Sequence, residues 1–332
     1  MKNVLIPLVL NLIFMFLCSG CNTGSKTGEE GQKCFDNNSC KGHLWCIDGF
    51  CVDILDYPDV DPADSVPDRE SNDGEKPDDE ASDDDENGEN GNDNPDLIDE
   101  CDFSVEVTSK EDLDSIVNCR AITGDFIVEE TDLEEVVLPH LEEVWNYFSI
   151  ADNPKLKRIY LPKLEATGDI FGIDFNTVLT EINLSVLSYV RGNMVVWGND
   201  SLKTFSLPNF QKADEGVYIS FNESLESIDA PMLESIWKFF DIDHNDSLKS
   251  VSFPALESAL LLLVSRNSSL ETFDMSSLHD VQGVRIVLNA QLPTEKAEAL
   301  VDQVLEKRSF LDYTICGNKD GEECDFDWDD LD

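Results

Sequence analysis

Between Cys119 and about Val287, apolar residues return with a period of 23. Leu133, Leu156, Leu179, Leu202, Leu225 and Leu248 keep the step, and Leu270 comes one residue early. So does the column Ile127, Ile150, Ile173, Val196, Ile219, Ile242 and Val264, and so does Val136, Ile159, Ile182, Phe205, Ile228, Val251 and Phe273. Leu141, Leu164, Leu187, Phe210, Leu233, Leu256 and Leu278 form another, with Pro139, Pro162, Pro208, Pro231 and Pro254 in five of the copies. A repeat this short cannot bury its own apolar face, so each copy must stack on its neighbours as a solenoid. Runs such as 147–150 and 158–161 read as short strands with turns between them. Stacked in register, they make parallel sheets. The expected fold is therefore mainly β, a parallel β-helix of about seven repeats with capping helices.

Asn153, Asn176, Asn199, Asn222, Asn245 and Asn267 hold a further column. A buried turn leaves backbone groups unpaired, at roughly 1–3 kcal/mol each, and an inward Asn ladder can satisfy them. These residues are read as structural. Asn199, Asn222, Asn245 and Asn267 also begin N-x-Ser sequons, but burial argues against glycans there. The ends of the solenoid carry caps. Ser109 and Asp112 frame a capping box, opening a helix to about Asn118 that Cys101 and Cys119 bracket. Pro293 opens a second helix to about Lys307, followed by a strand from Leu311 to Cys316 with Cys324 near enough to close a loop.

The N-terminus is an address. Met1-Lys2 precedes an apolar run from Val4 to Leu17. That run is too short to span a membrane, which takes about 20 residues. It ends in Leu17-Cys18-Ser19-Gly20-Cys21, which resembles the bacterial lipoprotein box, with Cys18 where that box usually has Leu. The resemblance implies a signal peptide over 1–20, Cys21 as the mature N-terminus carrying covalent diacylglycerol, and, from Asn22, sorting to an outer membrane. An ordinary secretory signal cleaved near Gly20 is the alternative. With Cys18 and Cys21 set aside, Cys34, Cys40, Cys46, Cys51, Cys101, Cys119, Cys316 and Cys324 remain of the ten cysteines. An even number in an exported chain reads as four disulfides.

After a lipidated spacer (21–31), residues 32–53 are too few to bury a core and need disulfide staples. Their four cysteines allow three pairings. The module resembles the small cysteine-rich modules of the Dickkopf N-terminal type. Residues 54–100 form an acidic linker: positions 53–100 carry 21 acids and two bases, Arg69 and Lys76. Such a segment repels itself and extends. Asp83, Asp85, Asn87 and Gly88 match the start of an EF-hand loop, but position twelve is Asn94. Diffuse, weak calcium binding is the expectation there, with no metal site. The tail 317–332 is acidic again.

The lines Leu156-Lys-Arg-Ile-Tyr-Leu-Pro-Lys-Leu164 and Leu225-Glu-Ser-Ile-Asp-Ala-Pro-Met-Leu233, each preceded by an Ile-x-x-Asn turn, resemble the receptor L-domain family. The likeness covers about 101–316. It implies a right-handed parallel β-helix related to leucine-rich repeats, in a family that includes the ligand-binding domains of insulin- and epidermal-growth-factor-type receptors. It implies little about function, because function lives in sites rather than folds.

Net charge narrows the partners. With 70 acids against 23 bases the chain stands at −47, which excludes a nucleic-acid footprint and disfavours direct contact with anionic membranes. The membrane contact expected is the lipid anchor alone. Strand alternation sets outward positions beside the Ile150 column, and these hold Tyr147, Ile170, Phe239 and Leu261; Phe126, Val195, Tyr218 and Leu263; and Val128 and Trp197. Beside Ile159 the outward positions are polar, as in Glu135, Arg158, Glu181 and Ser227. Exposed apolar patches mark interaction sites. The predicted binding face is Tyr147, Val195, Trp197, Tyr218, Phe239, Leu261 and Leu263, for a protein or glycan partner outside the cell or on its envelope. The alternatives are that these rings pack on each other, or that the protein is a passive adhesion component or a calcium-responsive stalk. The histidines (His43, His140, His244, His279) are scattered and no phosphate-binding loop is present. No catalytic residue, cofactor or enzyme activity is therefore expected.

Overall fold

The computed structural model describes residues 45–47, 50–52, 97–101 and 103–324. The expected signal peptide, Cys21, Cys34, Cys40, the linker up to residue 96 and the tail beyond 324 lie outside the described residues. The chain divides into two units, 1–90 with 325–332 and 91–324. In the first, strands Trp45–Ile47 and Phe50–Val52 pair antiparallel, with Cys46 opposite Cys51. Asp48-Gly49 stands between them, residue types that favour a two-residue hairpin loop. The disulfide pairing of this module lies outside the described residues.

The second unit is a parallel β-solenoid of about eight turns with little helix. Each middle coil gives its long sheet two strands. One is short, as in Ala166–Thr167, Tyr189–Val190 and Lys212–Ala213. The other is longer, as in Phe148–Ala151, Phe171–Asp174 and Met194–Trp197. The two fuse into single strands at Ser258–Ser265 and Asp280–Val287, and Asp312–Cys316 closes the sheet. The column around Ile159 makes a second surface. It divides into a three-stranded sheet ending at Glu181–Asn183 and a four-stranded sheet beginning at Thr204–Ser206.

Period-two alternation builds the inside of the long sheet. Phe126, Phe148, Phe171, Met194, Val217 and Phe240 align across coils and are buried. Val128, Ile150, Ile173, Val196, Ile219 and Ile242 form the parallel row. Aromatic and β-branched side chains suit such a pleated surface, and the Phe126, Phe148 and Phe171 rings sit 5.2 and 4.7 Å apart. The Ile159 and Leu164 columns face them across the core.

The first coil departs from the sequence expectation, which set Ile127 inward and Phe126 and Val128 outward. Val128 is the partner of Ile150, and Phe126 and Val128 are fully buried. Val136 still pairs with Ile159 at 23, so the first coil is one residue short before Glu135. A one-residue slip turns every side chain to the other face. Burying Phe126 and Val128 in place of Ile127 removes more apolar surface from water, at about 25 cal/mol per Å², and that settles the register.

The caps are short. Helix Lys110–Ser115 ends earlier than the expected Asn118. Ser109 Oγ accepts from the Asp112 N–H at 3.3 Å, and the Asp112 carboxylate accepts in return from the Thr108 N–H at 3.0 Å. Those hydrogen bonds hold the Asp112 carboxyl below its usual range. The Cys101–Cys119 disulfide spans this helix. Helix Thr294–Leu305 covers the far end with Ala297, Leu300, Val301 and Val304 buried. The Cys316–Cys324 disulfide closes the loop after the last strand.

Candidate functional site

The corner after each long strand is built on asparagine. Asn153, Asn176, Asn199, Asn222, Asn245 and Asn267 are completely buried, and the ladder continues through Asn289 to Asn318. Asn222 shows a full rung. Its Oδ1 accepts from the Asn199 N–H at 3.1 Å, and its Nδ2 donates to the carbonyls of Val196 and Ser220, both at 3.0 Å. Thr131 begins the ladder where the sequence has no Asn: its N–H and hydroxyl both donate to Asn153 Oδ1.

The residue before each rung adopts a left-handed conformation, for example Asp152 (φ 54°), Phe175 (53°), Phe221 (57°), His244 (51°) and Arg266 (51°). Such a conformation costs a side-chain-bearing residue roughly 1–2 kcal/mol, and the Asn hydrogen bonds that follow hold it there. This column carries rings outward. Trp197 stacks on Phe221 at 4.7 Å, and Phe221 stacks on His244 at 4.4 Å. Gly198, at φ 65°, leaves room for Phe175, whose ring would lie 2.8 Å from a Cβ there.

The predicted binding-face residues fall on the outward side of this one sheet. Phe239 and Leu261 pair at one position; Val195, Tyr218 and Leu263 share the next; Trp197 stands on the third; Tyr147 precedes its strand. They do not project freely. A Cβ at Gly216 would stand 2.6 Å from the Tyr218 ring, and one at Gly283 2.7 Å from Leu261. Tyr218 and Leu261 therefore lie along the sheet over glycine gaps and are half-buried. Val195 is a correction: it is 3% exposed and closed off as a contact residue. Alternation gives a side chain's direction, but not how far its neighbours cover it. Two tryptophans that the sequence reading passed over are more exposed. Trp145 (46%) and Trp237 (63%) each follow a short strand, in Glu143-Val-Trp145 and Ser235-Ile-Trp237. The shared pattern was a signal, but the bend between strands breaks the alternation used to find outward positions.

Carboxylates stand among these rings. Asp174 and Asp241 each have an Oδ1 atom that is buried without a hydrogen-bond partner. Burial holds both well above the usual carboxylate range; the Trp197 backbone opposes this at Asp174, and the Asp243 charge adds to it at Asp241. Burial also raises Asp152, helped by Glu130. The Tyr147 and Tyr218 phenols are pushed up by the same cause. Asp243 is the satisfied member of the group. His244 Nδ1 lies 2.5 Å from its Oδ2, the Ser265 hydroxyl donates to its Oδ1, and Arg266 approaches to 3.9 Å.

The second surface is arranged differently. Lys157 pairs with Glu134 at 2.9 Å, Arg158 with Glu181 at 3.2 Å and Lys249 with Glu226 at 2.7 Å, each from one coil to the next. His140, His244 and His279 are held apart, with His279 Nδ1 against the Ser277 carbonyl at 2.9 Å. Among the described residues no group of three His, Cys, Asp or Glu is placed to hold a metal ion, and no helix is long and apolar enough to cross a membrane. No family model, curated protein or solved structure matches the chain.

Proposed function

We propose that this is an exported, lipid-anchored envelope protein whose solenoid is a non-catalytic binding module for a protein partner, contacted through the outward side of the long sheet. The observation that carries the reading is the asymmetry of the two surfaces. Half-exposed aromatic side chains, and carboxylates with one buried oxygen left without a hydrogen bond, gather on the longer strands of one, while ion pairs run from coil to coil along the other. Apolar patches with aromatic residues are where binding energy concentrates. A protein suits the face better than a glycan. Phe221 has a ring stacked on either side, so its faces are closed to a sugar ring and only its edge is presented. The caps at both ends agree with the receptor L-domain resemblance.

Site-specific photo-crosslinking tests the reading. A crosslinker at Tyr218 or Trp237 should capture a discrete envelope protein, and one at Ser227 on the second surface should not. Equal capture from both positions, or none, refutes the assignment of the face. Loss of incorporated radiolabelled fatty acid in Cys21→Ser would establish the anchor; unchanged labelling would refute it.

A further inference from the structure

The charge on the outward side of the long sheet is unbalanced, and the imbalance describes the missing partner. Asp125, Glu129, Asp152 and Asp174 stand on this side of the first coils, and from Val105 to Ser220 the outward positions of the longer strands hold no Lys or Arg. The bases of this sheet's short strands are already engaged, Arg120 by Asp99 and Glu142 and Lys212 by Asp214. Farther along, Arg285 is bound to Asp312 at 2.6 Å and Arg266 leans on Asp243. Asp174 faces Asp152, Glu129 and the Tyr147 phenol; Asp241 faces Asp243, Arg266 and the Tyr218 phenol. A buried carboxylate without a partner is costly, and a cation brought against it recovers part of that cost. Among the described residues no group of three ligands is placed to hold a metal ion. Nor does the chain's own linker fit, because positions 53–100 carry 21 acids and would be repelled.

We infer that the occupant of this face is a polypeptide segment bearing Arg or Lys side chains, which set their cationic groups against Asp174 and Asp241 while the apolar parts of the segment lie along the aromatic ridge. This rests on the face being the binding surface. Arginine suits the role, because its guanidinium is weakly hydrated and binds carboxylates through two parallel hydrogen bonds.

The test is calorimetric titration of the full chain with hexa-arginine at a series of pH values from about 5.5 to 7.5, in two buffers of different ionisation enthalpy. Cation binding favours the ionised form of both carboxyls, so the peptide should displace protons from the protein within that series. The linker also binds the peptide, but its carboxylates are already ionised throughout the series and release none. The Asp174→Asn, Asp241→Asn double variant should lose the proton release and bind about tenfold more weakly at this site, one pKa unit's worth. Glu181→Gln on the second surface should change neither. If the double variant fails to fold by circular dichroism, each single variant should lose part of the release. Absence of proton release from the wild type, or undiminished release from the variants, overturns the inference. So does binding of maltohexaose that depends on the same two residues. If hexa-arginine fails while Tyr218 still crosslinks a partner, the basic segment is wrong and the face stands. If Tyr218 captures nothing, the reading of the face falls first.

Discussion

The long sheet and the sheets around Ile159 share one inside and have different outsides. Inward, both present aliphatic and aromatic columns, at zero or nearly zero exposure except for the partly buried Ile182 and Phe273 of the Ile159 column. Outward, the Ile159 side joins Lys157 to Glu134 and Lys249 to Glu226 across coils. The long sheet keeps its ion pairs, such as Arg120 with Glu142 and Lys212 with Asp214, to the short strands; its longer strands lead into the stack of Trp197, Phe221 and His244 and leave one oxygen each of Asp174 and Asp241 without a hydrogen bond. Stacking a solenoid demands only that the inward rows match. The outward rows are free to answer to water on one side and to a partner on the other.

That contrast can be broken most forcefully from within. Ile219→Ala beneath the long sheet and Ile228→Ala beneath the second should each cost about 2–5 kcal/mol in urea unfolding. If either cost falls below about 1 kcal/mol, the insides differ too. Next comes the corner joining the surfaces. Asn222→Ala removes a rung bonded at 3.0–3.1 Å to two carbonyls and an N–H. It should cost about 2–4 kcal/mol, since buried groups are left unpaired. Asn183→Ala, whose Oδ1 accepts only from the exposed Ser185 N–H, should cost less than about 1 kcal/mol.

Smaller effects sharpen the outward difference. Trp197→Ser should cost about 1 kcal/mol from the lost Phe221 stack and abolish crosslinking at Tyr218. Arg158→Ala, which loses an exposed ion pair, should shift stability by less than about 0.5 kcal/mol. The pH responses should differ in sign. Asp174 and Asp241 are raised by burial, so the native state holds more protons than the unfolded chain above about pH 4. Their contribution therefore declines as pH rises from there through their native values. The melting-temperature difference between Asp241→Asn and wild type should widen in the variant's favour from pH 4.5 to 7.5. Glu134 and Glu226 are lowered by Lys157 and Lys249. Their contribution is present above about pH 4.3 and is lost as pH falls through their native values. A Glu226→Gln variant should therefore approach wild-type stability on acidification.

Most of the solenoid was legible in the sequence, because a parallel stack repeats its constraints. Leu156, Ile159, Leu164 and their equivalents meet the same neighbours one coil away, so one period reports many contacts. The ladder from Asn153 to Asn267 was legible for the same reason. Asn318 escaped because its interval of 29 residues leaves the period, and Asn289, though it keeps the 22-residue step that also separates Asn245 from Asn267, was passed over. The left-handed corner has glycine only at Gly198 and Gly317, too few to mark it: Phe175, Phe221 and Arg266 are poor choices for positive φ in isolation. The candidate site was half legible. Its sheet and most of its rings followed from alternation, but Trp145 and Trp237 did not, and Val195 was placed on it though covered.

By itself the sequence determined the stacking, the inward rows and the corner asparagines, because those depend on residues meeting their own equivalents one period away. The tertiary structure decided the register of the first coil, the exposure of each outward ring and the isolation of Asp174 and Asp241. These depend on burial and on which unlike side chains meet across coils, such as Tyr218 over Gly216 or Phe221 against His244. A period describes like meeting like; only packing in space decides what happens where unlike residues meet.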